Sequence, residues 1–474
     1  MSVARRVAWN TAVQAAARIL AIGLALATLI VVTRHLGVSG YGSFTAATVY
    51  VALFAVFFDL GIATILVRRL AQGEGDPAYL LGTALTLRVL LALGVAAVAA
   101  GLSFPIYADA APIRNGILIA LPTIVFNAVA TTAAVFFQAE LRMAWVAIAE
   151  VANQALTLAL ILVLVATDHG LYAIVGATVA GSGASAILVT TFLLRHVRVR
   201  PRVDPALWRR LFVTALPLGI ALVLNTVYFR LDALLLSVMK GSRDVGIYGV
   251  AFRFSEMLIP FALYFVTSVF PLLAAAVGRG DLHDLRGLSQ RAFDVVVVAA
   301  APVVFGAVAI APEIVHAIGG DAFADAALPL RIVAAGMGFT FVNALLGHVL
   351  VALDRQRDAL WLNAGALVLN LALNLALIPP YGYTAAASVA ASSEAAVCIG
   401  LVWLVHRYAG LWLSPQTGAR AVLVAAAMGA AVAAVHPNIV VAVVLGAVVY
   451  GAGLVLLRIH RRIELGQIFA GGAS

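Results

Sequence analysis

Residues 211–239 read LFVTALPLGIALVLNTVYFRLDALLLSVM. As one helix this 29-residue run would extend roughly 43 Å, enough to cross a hydrocarbon core about 30 Å thick. Two charges, Arg230 and Asp232, interrupt it. Each charge at mid-bilayer costs about 2.5–3.5 kcal/mol on insertion scales, so a span carrying two needs a physical reason. Helical phase supplies one. Asn225, Tyr228 and Asp232 share a face, and Arg230 lies more than about 100° away from it. Residues i and i+2 do not face each other, so the two charges do not simply neutralise one another. They read instead as lining for a polar space between helices.

The rest of the chain agrees with a membrane setting. Of its 474 residues 64% are hydrophobic and 11% charged, against about 45–50% and about 25% in soluble domains. A net charge of +9 would suit nucleic acid, but the basic residues gather at the ends of apolar runs, where they set orientation, so no nucleic-acid partner is expected. Cys398 is the only cysteine, which excludes a disulfide framework within the chain. Arg5 and Arg6 precede an apolar segment reaching about Val32. That is longer than the about 7–15-residue core of a cleaved signal, so it is expected to stay as a first span.

Apolar runs define fourteen expected spans, at 9–33, 43–66, 80–102, 114–137, 144–166, 170–194, 211–238, 247–275, 292–311, 327–351, 359–378, 383–405, 418–435 and 438–457. With the N-terminus cytoplasmic, 21 Lys and Arg fall on the inner side, 5 on the outer side and 4 within spans. A miscounted span would scramble that alternation. Both termini are therefore expected in the cytoplasm of a multi-pass protein of the cytoplasmic (inner) membrane. Outer loops are short, the longest running over 312–326.

The longest inner loop, RHVRVRPRVDPALWRR (195–210), divides two similar halves. Asn127 and Asn343, Trp145 and Trp361, and Gln154 and Asn370 are each 216 residues apart. GVSGYGSF (37–44) echoes RDVGIYGVAF (243–252) after the first span of each half. Both halves have the same in/out sense, which is a parallel repeat. The expected domains are an N-terminal six-helix bundle (1–195), a basic cytoplasmic connector (196–210), a C-terminal six-helix bundle (211–406), and helices 13 and 14 with a basic tail (407–474). Within the connector, Asp204-Pro205 predicts an N-cap and first turn for an interfacial helix carrying Trp208, Arg209 and Arg210. The loop's charges suit anionic lipid headgroups. Pro122, Pro217, Pro260 and Pro271 are expected kinks.

Polar residues inside the spans fall on faces. Glu150, Asn153, Gln154 and Thr157 make one stripe, and Asn363, Asn370 and Asn374 another. Asn10, Gln14 and Arg18 lie along the first span. Such amides serve equally well as hydrogen-bond links between helices. Ionised groups point more strongly to a wet cavity, and here Arg18, Arg88, Arg230 and Arg253 stand against Asp59, Glu150, Asp232, Glu256 and Glu394. Arg253 and Glu256, three apart, are positioned to pair. Small-residue runs GATVAGSGAS (176–185) and ASVAASSEAA (387–396) permit close helix contact. No phosphate-binding glycine loop, His-Glu-x-x-His or Cys/His cluster occurs, so no catalytic group, metal or cofactor is expected.

TRHLGVSGYGSF (33–44), FDLGIATILVRRLA (58–71), YFRLDALLLS (228–237), YGVAFRFSEMLIPFALYFVTSVFPLLA (248–274) and VALDRQRDALW (351–361), in that order, resemble the polysaccharide transporter (oligosaccharide-lipid flippase) family. That family lies in the superfamily that also holds multidrug extruders and lipid II flippases. The resemblance implies an all-α polytopic membrane protein of about 14 transmembrane helices, with two six-helix bundles around a central cavity and two C-terminal helices. It implies a transporter rather than an enzyme. The expected cargo is a polyprenyl-(pyro)phosphate-linked oligosaccharide, moved by alternating access for cell-surface polysaccharide biosynthesis. Expected partners are that glycan, membrane lipids, and a polysaccharide polymerase or glycosyltransferases.

The family's cationic cavity maps onto Arg18, Arg88, Arg230 and Arg253 with Asp232 beside them. Asn153, Gln154, Asn370 and Asn374 suit sugar hydroxyls, and Asp59, Glu150, Glu256 and Glu394 are candidates for ion coupling. The alternative cargo is lipid II; a cationic-drug antiporter would call for an acid-dominated cavity. A membrane enzyme acting on lipid-linked glycans would be expected to need a sizeable outer loop.

Overall fold

The computed structural model describes residues 3–435 and 438–459. Arg461 and Arg462 of the tail lie outside the described residues, as do the side chains of Arg5, Arg6 and Asn10. The described residues form α1 (Val3–Asp59), α2 (Ile62–Ala71), α3 (Pro77–Ile106), α4 (Ala111–Ala120), α5 (Pro122–Ala139), α6 (Ala144–Ala166), α7 (Leu171–Leu194) and α8 (Pro205–Met239). These are followed by α9 (Ser242–Gly278), α10 (Leu282–Ala309), α11 (Ala311–Gly319), α12 (Ala327–Ala352), α13 (Gln356–Ala409), α14 (Gln416–Val435) and α15 (Ile439–Leu456), with a 3-10 turn at Asp321–Ala326. No strand occurs among the described residues.

Among the described residues twelve helical segments are long and apolar enough to cross a membrane. Two of them, Ala16–Asp59 with 44 residues and Gln356–Ala409 with 54, would run roughly 66 and 81 Å if straight, enough for two crossings each. Each contains one non-helical residue, Gly37 (φ 64°, ψ −174°) and Gly382 (φ 57°, ψ −134°). Glycine takes positive φ without a Cβ penalty, so a single residue reverses the chain where the sequence led us to expect a short loop. Counting these two as double gives the fourteen expected crossings. Large apolar side chains such as Leu102, Ile187, Ile399 and Val440 stand exposed, as lipid-facing residues must in a bilayer. The chain is a multi-pass membrane protein.

The expected fourth span, 114–137, is interrupted at a proline. Pro122 is the first residue of α5 and separates it from α4, where a missing N–H costs nothing. Pro217 lies inside α8, and Pro260 and Pro271 inside α9, with no non-helical residue in either helix. The breaks within helices fall at glycine instead.

The chain packs as two compact units, 1–246 and 247–474. In the first, α8 lies against α1, α2 and α3, so the contact unit ends later than the repeat boundary expected at 210. Gly219 allows α8 to approach the α1–α2 turn: a Cβ there would meet the Leu60 carbonyl oxygen at 2.5 Å. Leu81, Leu66, Phe137, Leu193, Leu211 and Ala215 form a buried core among α2, α3, α5, α7 and α8. In the second unit α14 and α15 pack on α10 through Ala301, Ala425, Met428 and Tyr450. The Tyr450 hydroxyl donates to the Val298 carbonyl at 2.8 Å.

Candidate functional site

Within the first unit the polar centre is Arg88, fully enclosed at 0% exposure. Its Nη2 donates to Asp59 Oδ1 at 2.7 Å and to Thr131 Oγ1 at 2.9 Å, and its Nη1 donates to Thr132 Oγ1 at 2.7 Å. Both threonines then donate onward to the carbonyls of Asn127 and Ala128, each at 2.6 Å. The guanidinium carbon sits 5.3 Å from the centre of the Phe58 ring, a cation–π contact. A buried cation is tolerated only when paired and hydrogen-bonded, and here carboxylate, hydroxyls and ring together meet that condition.

The FDLG segment builds this site locally. Asp59 ends α1, and its Oδ1 also accepts from the Ala63 N–H at 3.2 Å. Between the two helices Leu60 (φ 42°) and Gly61 (φ 80°) turn the chain. Arg88 thus ties the α1–α2 break to α3 and α5. Thr131 and Thr132 were not among the site residues expected from sequence, although they end the repeat landmark FNAVATT. No periodicity within one helix reports which side chains a neighbouring helix will meet.

The remaining expected residues of this unit lie on several helices. Arg18 on α1 is half-buried, and its Nε is shielded with no hydrogen-bond partner among the described residues. On α8 Asp232 is buried and Arg230 half-buried, as their different phases predict. On α6 Glu150, Asn153 and Gln154 are half-buried. Thr157 Oγ1 donates to Asn153 Oδ1 at 3.4 Å, and both abut Gly181 of α7, where any Cβ would collide with them. The small-residue run of α7 therefore lets this polar pair sit between two helices. Nearer the other end of the unit, Tyr107 and Ser237 share a hydrogen bond of 2.7 Å.

In the second unit Arg253 Nη1 donates to Glu256 Oε2 at 2.9 Å, with the side chains 41% and 22% exposed. The expected pairing is present. Asn343 Nδ2 donates to both the carbonyl oxygen and Oε2 of Glu394, each at 3.0 Å. Asn370 donates to Ser393 Oγ at 3.2 Å, and Asn374 donates to Asn370 O and Oδ1, each at 3.0 Å. The expected cavity wall took Arg88 from the family resemblance and Asn370 and Asn374 from helical phase. In this structure all three are enclosed; the Asn370–Ser393 bond links the two arms of α13, the interhelical use of amides that membranes favour, while Asn374 braces Asn370 from the same arm. Among the described residues no group of His, Cys, Asp and Glu is arranged to hold a metal.

The fold matches solved transporters of the MOP superfamily. The lipid II flippase MurJ in an inward closed conformation aligns with a TM-score of 0.77, 12% identity, and coverage of 95% of this chain and 99% of that one. An inward-facing multidrug resistance MATE family transporter aligns with a TM-score of 0.70, 14% identity, and coverage of 84% and 98%. A sequence profile described as "Polysaccharide biosynthesis protein" matches residues 7–277, and the MatE profile matches residues 217–376. The chain belongs to the polysaccharide biosynthesis protein family. A probable low-salt glycan biosynthesis flippase of Haloferax volcanii, Agl15, is 24% identical over 168 residues, which is 35% of this chain and 36% of that protein. By their names these relatives are flippases and transporters, not enzymes.

Proposed function

We propose that this chain flips a polyprenyl-(pyro)phosphate-linked oligosaccharide across the cytoplasmic membrane by alternating access, supplying cell-surface polysaccharide biosynthesis. The observation that carries this reading is the family match over residues 7–277, which takes in Arg18, Arg230 and Arg253. The similarity to a glycan flippase supports it. A carrier diphosphate entering a membrane cavity needs fixed positive charge and hydrogen-bond donors. Arg230, with Arg18 and Arg253, supplies that charge, and Asp232 orients a neighbouring arginine or senses a cation. Asn153 and Gln154 offer donors and acceptors for sugar hydroxyls, while the isoprenoid tail stays in lipid.

Arg88 acts one step back in this scheme, by fixing the α1–α2 break, and Asn370, braced by Asn374, does the same for the two arms of α13. Glu150, Glu256, Glu394 and Asp59 are the acids through which an ion gradient would bias inward and outward states. Both termini lie in the cytoplasm. A polymerase or glycosyltransferases work alongside the flippase. The likeness to MurJ concerns fold, whereas the family match favours glycan over peptidoglycan precursor as cargo.

Arg230→Ala tests the reading in cells that depend on this chain for surface polysaccharide. Loss of export with normal membrane insertion is expected. Full export by that variant removes Arg230 from the mechanism, and rescue of a lipid II flippase deficiency by the unaltered chain would transfer the cargo assignment.

A further inference from the structure

The strap between α7 and α8 is built like an amphiphile-binding surface. Residues 197–204 have no regular secondary structure, yet over 197–200 their burial alternates. Val197 and Val199 pack onto the core beneath the strap, while Arg198, Arg200 and Arg202 stand exposed. The alternation is held in register by α3. The Arg202 N–H donates to Thr86 Oγ1 at 3.1 Å, Trp208 Nε1 donates to the Thr83 carbonyl at 3.0 Å, and the Tyr79 hydroxyl donates to Asp204. Gly82 is required for this seat, because a Cβ there would collide with the Arg200 carbonyl oxygen.

Beneath Val199 lies a cavity of about 200 Å³ lined by Leu81, Leu85, Thr132, Thr190 and Leu194 among others. Thr190 Oγ1 is shielded from solvent and has no hydrogen-bond partner among the described residues, an expensive state for a hydroxyl in an apolar wall. The strap therefore presents three guanidinium groups outside, an apolar slot inside, and one unused hydroxyl in that slot.

We infer that this strap binds one anionic glycerophospholipid, its phosphate on Arg198, Arg200 and Arg202 and the head end of an acyl chain in the slot below. Phosphate on a lipid is common to membrane phospholipids and to polyprenyl carriers. The Thr190 hydroxyl favours the former, because a glycerophospholipid brings an ester carbonyl to accept its proton and an isoprenoid chain brings none. The bound lipid fastens the strap to α3, so that α7 and α8 are joined through a lipid-filled seam.

The test uses the full chain, purified and exchanged into nanodiscs of phosphatidylcholine with a trace of phosphatidylglycerol, followed by native mass spectrometry. One phosphatidylglycerol retained per chain, in preference to phosphatidylcholine and to ether-linked phosphatidylglycerol, is expected. The triple change Arg198→Gln, Arg200→Gln, Arg202→Gln should cut retention on the order of a hundredfold, each arginine contributing a factor of about five near an anionic headgroup. The corresponding Lys variant should keep most of it, and Leu85→Trp, which fills the slot, should lose it with the arginines intact. Equal retention of phosphatidylcholine, unchanged retention in the triple Gln variant, or stoichiometric displacement by a polyprenyl phosphate would each overturn the assignment. The displacement result would hand the site to the cargo.

Discussion

Two arginine–carboxylate pairs within membrane helices make opposite use of the same chemistry. Arg88 and Asp59 meet at 2.7 Å with the arginine side chain at 0% exposure, and two threonines and a phenyl ring surround the guanidinium, leaving its Nε without a hydrogen-bond partner among the described residues. Arg253 and Glu256 meet at 2.9 Å on one helix turn with the arginine side chain 41% exposed. The first joins three helices at a chain break. The second occupies one face of one helix and keeps surface for something else. What a membrane arginine can do for a ligand is set by how many fixed acceptors already surround it.

Breaking the enclosed pair should have the largest effect. Arg88→Ala leaves Asp59 without its cation and should destabilise the protein by about 3–5 kcal/mol, read as a lower midpoint in thermal unfolding of the detergent-solubilised protein. Arg88→Lys should recover little, because one ammonium cannot reproduce a planar fork that serves Asp59, Thr131 and Thr132 together. A variant as stable as the parent would show that the cluster does not hold the break.

An intermediate effect is expected where an uncharged amide does the tying. Asn370→Leu removes the donor to Ser393 Oγ that joins the two arms of α13 and should cost about 0.6–1.7 kcal/mol, the range found for interhelical hydrogen bonds in membranes. The same unfolding measurement checks it, and a loss matching that of Arg88→Ala would erase the distinction between charged and neutral ties.

The exposed pair should move stability least while mattering most to transport. Arg253→Ala should change the unfolding free energy by less than about 1 kcal/mol, yet impair lipid-linked glycan export if its surface serves the cargo. A variant that loses stability and export in parallel would make Arg253 a structural residue like Arg88.

The smallest effect concerns Asp204. The Tyr79 hydroxyl, followed by the Leu207 and Ala206 N–H groups, holds its carboxyl below the usual value. Because the folded-state value is depressed, the cap's contribution is present above the unfolded value near pH ~4 and lost as pH falls through the folded one. Hydrogen exchange at Ala206 and Leu207 should therefore accelerate only below about pH 4, and Asp204→Asn should blunt that dependence.

Much of the fold was legible because a bilayer imposes long apolar runs and orders the charges between them. The sixth expected span, 170–194, is matched by α7 at Leu171–Leu194, and the fifth coincides with α6 at Ala144–Ala166. Turns were less legible. The ends of the apolar runs, and Pro379-Pro380 before Gly382, placed the breaks near Gly37 and Gly382, but nothing local showed that each expected loop would narrow to a single non-helical residue. The connector shows the same limit. Its Asp204 N-cap was readable, with Asp204 accepting from Ala206 and Leu207, but the helix it starts is not a separate interfacial one. It continues as α8 to Met239, because no break follows Arg210.

The candidate site divides along the same line. By itself the sequence determined that arginines and carboxylates lie within membrane helices, that amides repeat in both halves, and that Arg253 lies one turn from Glu256. These follow from composition and helical phase, which are local. Only the tertiary structure decided that Arg88 is enclosed by Asp59, Thr131 and Thr132, that Asn370 meets Ser393 across the arms of α13, and that Val199 roofs a slot beside Thr190. Those outcomes depend on which helix faces which. Apolar text of nearly uniform Ala, Leu and Val leaves that choice to packing.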